Sequence, residues 1–215
     1  MIEDMSLSPD GSALAVLAGS YSDRFNAGTL VTYNLSAGPG KIWQPSGNGL
    51  SGGQRGSSLS WEANGRTLGF VHDGFRLLDT AAPGNNLLTA SRPAVPSNQP
   101  PSPFWRQAMV TPDGQTVLEV MQIDNPRAAP QLEAFSARTG KLERVMHEPV
   151  ISNTGDLYEQ VQWSSPSGDV LLISGEGGSV PRLPYPGFSM SSLGVLANGH
   201  YSALPWSAGT YLAAW

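Results

Sequence analysis

The apolar positions of this chain fall in short runs broken by turn residues, and the runs recur in one order. Ser8-Pro9-Asp10-Gly11, Glu62-Ala63-Asn64-Gly65, Thr111-Pro112-Asp113-Gly114 and Ser165-Pro166-Ser167-Gly168 are four versions of one turn, their glycines 54, 49 and 54 residues apart. A short apolar or Trp-bearing run precedes each turn: Met5 to Leu7, Leu59 to Trp61, Ala108 to Val110 and Val161 to Trp163. A second run follows: Leu14 to Leu17, Thr67 to Val71, Val117 to Val120 and Val170 to Ile173. Proline fixes φ at the first corner, Asp or Asn bonds back to its own backbone, and Gly takes the φ > 0 position, so each unit predicts a β-hairpin.

A third run follows every hairpin: Leu30 to Leu35, Gly74 to Asp79, Leu132 to Phe135 and Leu193 to Ala197. A turn then leads to a fourth, as in Lys41 to Trp43, Lys141 to Val145 and His200 to Leu204. Four antiparallel strands per unit make a sheet that cannot bury both faces alone, so the units must stack. The expectation is an all-β chain of four such blades, roughly 1–46, 55–92, 104–149 and 157–206, with an extra strand at 209–215.

The Ser-Pro-Asp-Gly turn between two apolar strands resembles the repeat of TolB-type, WD-like β-propellers. It does so closely in the first and third units and loosely in the second and fourth, where Trp163 sits one place further from the turn. The Trp-Asp pair of true WD repeats is absent from these units. The resemblance implies blades packed around an axis and, for TolB-like repeats, the cell envelope. Because the first unit already owns its first strand, the 209–215 segment finds no vacancy to fill, and the chain reads as an open arc from a larger ring. The competing reading is a closed four-bladed ring with that segment packed outside.

Composition agrees with strands and turns. Charged residues are only 13% of the chain, while Gly (25) and Pro (18) interrupt nearly every stretch long enough for a helix. A net charge of −5 argues against nucleic acid as the main partner. With no Cys there are no disulfides, thiol nucleophiles or Cys-based zinc sites. No apolar run approaches the roughly 20 residues needed for a transmembrane helix.

Candidate chemistry is sparse. Gly47-Asn48-Gly49-Leu50-Ser51-Gly52 has the spacing of a dinucleotide loop with Asp73 downstream, but a strand rather than a helix follows it, so no cofactor is expected. His72, His147 and His200 lie in different units without metal-ligand spacing, and no GxSxG elbow occurs, so no metal and no catalytic residue is assigned. The tryptophans are expected between blades, with Trp105, beside the Pro96 to Pro103 segment, the exception that serves a ligand. One pattern points to binding. Arg24 and Arg127 each stand thirteen residues after a turn glycine and Arg182 fourteen, all in long connections between second and third strands. Local ion pairs with Asp23, Asp124 and Glu176 are the alternative to a shared anion or acidic-partner site. The expected function is a non-enzymatic binding or scaffolding module for a protein or small anionic partner; the alternative is an enzyme, or an accessory domain of a hydrolase or lyase, with its site in the channel.

Overall fold

The structure, a computed structural model, describes residues 2–18, 29–44, 59–72, 74–96, 106–121, 131–147, 156–164, 169–177, 188–198 and 200–204. They form strands and turns with no helix. The first sheet holds β1 (Ile2–Leu7), β2 (Ala13–Ala18), β3 (Thr29–Asn34) and β4 (Gly38–Trp43). The second holds β5 (Ser60–Trp61), β6 (Thr67–Val71), β7 (Gly74–Asp79) and β8 (Ser91–Pro96). The third holds β9 (Arg106–Val110), β10 (Thr116–Met121), β11 (Gln131–Ser136) and β12 (Leu142–His147). The fourth holds β13 (Asp156–Ser164), β14 (Val170–Gly177), β15 (Phe188–Ala197) and β16 (His200–Ala203). Every sheet is antiparallel, with its strands side by side in chain order.

The recurring turn does what its residues predict. Gly11 N donates to Ser8 O, Gly65 N to Glu62 O and Gly114 N to Thr111 O, at 2.9, 3.0 and 2.9 Å. Those glycines stand at φ +70°, +62° and +70°, in the left-handed region. Asp10, Asn64 and Asp113 each accept the backbone N–H two residues on, at 3.0, 2.8 and 3.0 Å. Gly168 lies outside the described residues. The fourth unit's extra residue is absorbed by a register shift between Val161 and Trp163, so β13 still pairs along β14.

Each sheet has two faces, and three cores form where one sheet's second face meets the next sheet's first. Ala15, Leu30 and Trp43 pack on Trp61, Leu68 and Phe70. Phe75, Leu77 and Val95 pack on Ala108, Val110 and Val117. Leu118, Leu132 and Ala134 pack on Val170 and Leu196. First strands of consecutive sheets also touch one another, β1 with β5, β5 with β9 and β9 with β13, so the first strands are the inner ones. The packing runs from each sheet to its neighbour in sequence, and the described sheets form an open arc.

Polar bonds bind the layers as well. Trp61 Nε1 donates to Ser6 O at 3.0 Å, Leu59 N to Asp4 Oδ2 at 2.9 Å and Val110 N to the buried Ser60 Oγ at 2.9 Å. On the outer side, Lys41 lies 3.8 Å from the Trp43 ring centre and donates to Ala82 O at 2.6 Å. The connection between β7 and β8 clasps Gln44 through Leu87 N to Gln44 O and Gln44 N to Asn85 O. Arg92 reaches across to Ala137 O at 2.8 Å.

Candidate functional site

Two ends of the arc differ chemically. At one end lie the hairpin turns, with Asp10, Glu62 and Asp113 on successive sheets. A Cβ placed on Gly65 would sit 3.5 Å from Asp10 Oδ1, and one on Gly114 2.8 Å from the Glu62 carboxylate, so each carboxylate borders the next sheet's turn. Ser8 Oγ and both polar groups of Ser12 donate to Asp10, which holds its carboxyl down at about 2. Nearby, Arg66 grips Asp79 through two bonds of 2.7 and 2.6 Å, and this lowers the carboxyl and raises the guanidinium. This end is a row of hydrogen-bonded carboxylates.

The other end carries the connections between second and third strands. Ala18 pairs with Thr29, Met121 with Gln131 and Gly177 with Phe188, so the 19–28, 122–130 and 178–187 connections all leave equivalent strand ends. Strand β14 runs on to Gly177. Pro96 pairs with Gly74, and Arg106 with Met121, which brings the 97–105 connection to that same end. Arg24, Arg127, Arg182 and Trp105 are in these four connections and lie outside the described residues, as do Asp23 and Asp124. In the second sheet the corresponding connection is a tight turn, with His72 N donating to Gly74 O at 2.8 Å.

Just inside this end, the third sheet holds two buried carboxylates. Glu119 of β10 is fully buried and lies in register with Glu133 of β11, also buried, on the face that packs against the second sheet. Ala108 flanks Glu119 on β9. Both glutamates have polar or electrostatic interactions. Paired buried carboxylates are the group type that serves acid–base chemistry. Among the described residues no three His, Asp or Glu side chains gather as a metal site, and His200 is exposed. The 47–52 glycine segment and Asp73 are outside the described residues; the strand that follows the segment is β5.

No protein-family model and no curated protein matches the sequence. Solved structures do match in shape. TolB from Acinetobacter baumannii superposes with a TM-score of 0.60 at 16% identity, over 97% of this chain and 44% of that one. A putative TolB from Agrobacterium tumefaciens gives 0.50 at 11% identity, over 89% of this chain and 59% of that one. The chain has a TolB-type β-propeller fold. A prolyl endopeptidase structure aligns with the same propeller at a TM-score of 0.53 and 10% identity, over 96% of this chain and 36% of that one. The propeller therefore spans less than two thirds of each of these relatives.

Glu119 and Glu133 are the residues that reading the sequence for motifs passes over. Their signal is positional. Glu119 takes the place in the second strand of its blade that Val16 and Phe70 take in the first two, a charge at an apolar position. Trp43 and Trp61 are buried between blades as expected, while Trp206 and Trp215 lie outside the described residues.

Proposed function

We propose that this propeller is a non-enzymatic binding or scaffolding module that receives a protein or small anionic partner at the end bearing its long connections. The observation that carries the reading is the sidedness. Three long connections and the 97–105 connection leave one end. Their sequence supplies Arg24, Arg127, Arg182 and Trp105. The opposite end is lined by Asp10, Glu62 and Asp113, which repel an anion. Long loops on a rigid scaffold are the usual place for binding, and arginine matches carboxylate and phosphate in geometry. Among the described residues no helix is long and apolar enough to cross a membrane, which leaves the partner's location open.

The test is a titration with an acidic peptide and with inorganic pyrophosphate, followed by calorimetry at rising salt. Binding should weaken as salt rises, and Arg24→Ala/Arg127→Ala/Arg182→Ala should lose it while melting like the wild type. Affinity that ignores all three substitutions would refute the site. A second reading, an accessory domain of a hydrolase or lyase, draws on the buried Glu119 and Glu133 and on the likeness to a prolyl endopeptidase. Turnover of a peptide or ester that Glu119→Gln abolishes, without loss of fold, would favour it over the first.

A further inference from the structure

The outer strands of successive sheets are not protected alike. Strand β4 is engaged by the 80–90 connection of the second sheet, through Lys41 to Ala82 O and through the bonds that join Gln44 to Asn85 and Leu87. Strand β8 carries Pro93 and Pro96 and lies against the 137–141 connection of the third sheet: Arg92 donates to Ala137 O, and a Cβ on Gly140 would sit 2.8 Å from Ala94 O. The equivalent cover for β12 would come from the fourth sheet. There Ala197 pairs directly with His200, so only Asn198 and Gly199 join β15 to β16, and a two-residue turn cannot overhang the neighbouring strand. Among the described residues β12 pairs with β11 alone, and Leu142–His147 contains no proline. An open edge of this kind is a template for another strand.

The side chains of that edge complement themselves. The register on β11 skips Glu143, so Leu142 opposes Phe135 and Val145 opposes Glu133, two positions on one face. This bulge brings Leu142 and Val145 to the same side, where they are 50% and 43% exposed. Glu143 and Arg144 between them are exposed, and neither is ion-paired among the described residues. We propose that β12 pairs with β12 of a second copy of the chain, antiparallel about a two-fold axis that passes between Glu143 and Arg144. Each Glu143 then lies opposite Arg144 of the other copy and each Leu142 opposite Val145 of the other copy, so opposite charges meet and apolar residues meet, each pairing made twice. The second copy carries the same bulge at the symmetry-related place, so the residue count matches across the pair. The contact is isologous and closes at two chains, which removes both open edges.

Analytical ultracentrifugation of the full chain across a wide concentration range tests it. The wild type should reach twice the mass of one chain as concentration rises. Glu143→Arg and Arg144→Glu each place like charges opposite one another at both symmetry-related pairs, so each should raise the dissociation constant about tenfold with an unchanged circular dichroism spectrum. The double variant Glu143→Arg/Arg144→Glu puts opposite charges back across the pair and should recover the wild-type constant, a rescue that damage to the fold would not give. Met5→Lys, at a position 59% exposed on the first sheet, should leave the dimer intact. A wild type that stays at one chain mass at every concentration overturns the pairing. A dimer indifferent to both single reversals overturns β12 as its seat, and a double variant that remains dissociated overturns the register.

Discussion

Asp10 ties the first turn together through its carboxylate, which accepts from Ser8 Oγ, Ser12 N and Ser12 Oγ. Its folded pKa is depressed from 3.8 to about 2, so the stability it adds is present above 3.8 and disappears as pH falls through about 2. Urea unfolding of the wild type and Asp10→Ala should therefore differ at neutral pH and converge at the acid end of that window; a gap that persists there would show that the charge is not what matters. Backbone conformation makes a separate demand. Gly11 is at φ +70° with open space where a Cβ would go, so Gly11→Ala should cost only the left-handed penalty of about 1–2 kcal/mol. Gly140 is at φ +67°, and a Cβ there would meet Ala94 O at 2.8 Å, a backbone atom of another sheet that cannot turn aside. Gly140→Ala should lower the urea midpoint further than Gly11→Ala, and equal shifts would remove the steric part of the argument.

Within the elements, the tryptophans decide how strongly one sheet holds the next. Trp43 is fully buried at the outer edge of the first core and donates to Thr32 Oγ1 at 2.9 Å, so Trp43→Ala should cost about 3–5 kcal/mol in chemical denaturation. Trp61→Phe keeps most of the apolar volume but leaves Ser6 O without the bond that crosses between sheets, and about 1–2 kcal/mol is expected. A loss as large as that of Trp43→Ala would mean that ring shape, not the bond, governs the site. The strands and recurring turns were legible because their determinants are local: a proline corner, an Asx side chain and a left-handed glycine lie within four consecutive residues. The buried Glu119 and Glu133 were not legible, since nothing local marks a strand carboxylate as facing another sheet rather than water. The clasp of Gln44 between Asn85 and Leu87 was equally hidden, because it joins segments about forty residues apart with no motif of their own.

At the scale of the molecule, the connections whose sequence carries Arg24, Arg127 and Arg182 leave one end of the arc, and the shared arginine site is what the proposal adds. The triple Arg24→Ala/Arg127→Ala/Arg182→Ala variant asks whether they act together: each single substitution should weaken pyrophosphate binding modestly, and the triple should abolish it. Additive loss confined to one arginine would reduce the shared site to a single contact. The sequence could not show which way the apolar faces are stacked, because a four-strand unit looks the same whichever face its neighbour covers. Among the described residues the cores lie between consecutive sheets, and this has a kinetic consequence. Each sheet is held by neighbours and by little else, so opening should begin at the ends of the row and move inward, as in a linear array whose stability sums over adjacent couplings. Amide hydrogen exchange should therefore be graded along the chain: slowest in β6, β7, β10 and β11, which lie in the two flanked sheets, and faster in β2 and β3, whose sheet has a single flank among the described residues. If exchange were uniform across all four sheets, the row would be opening as one cooperative unit.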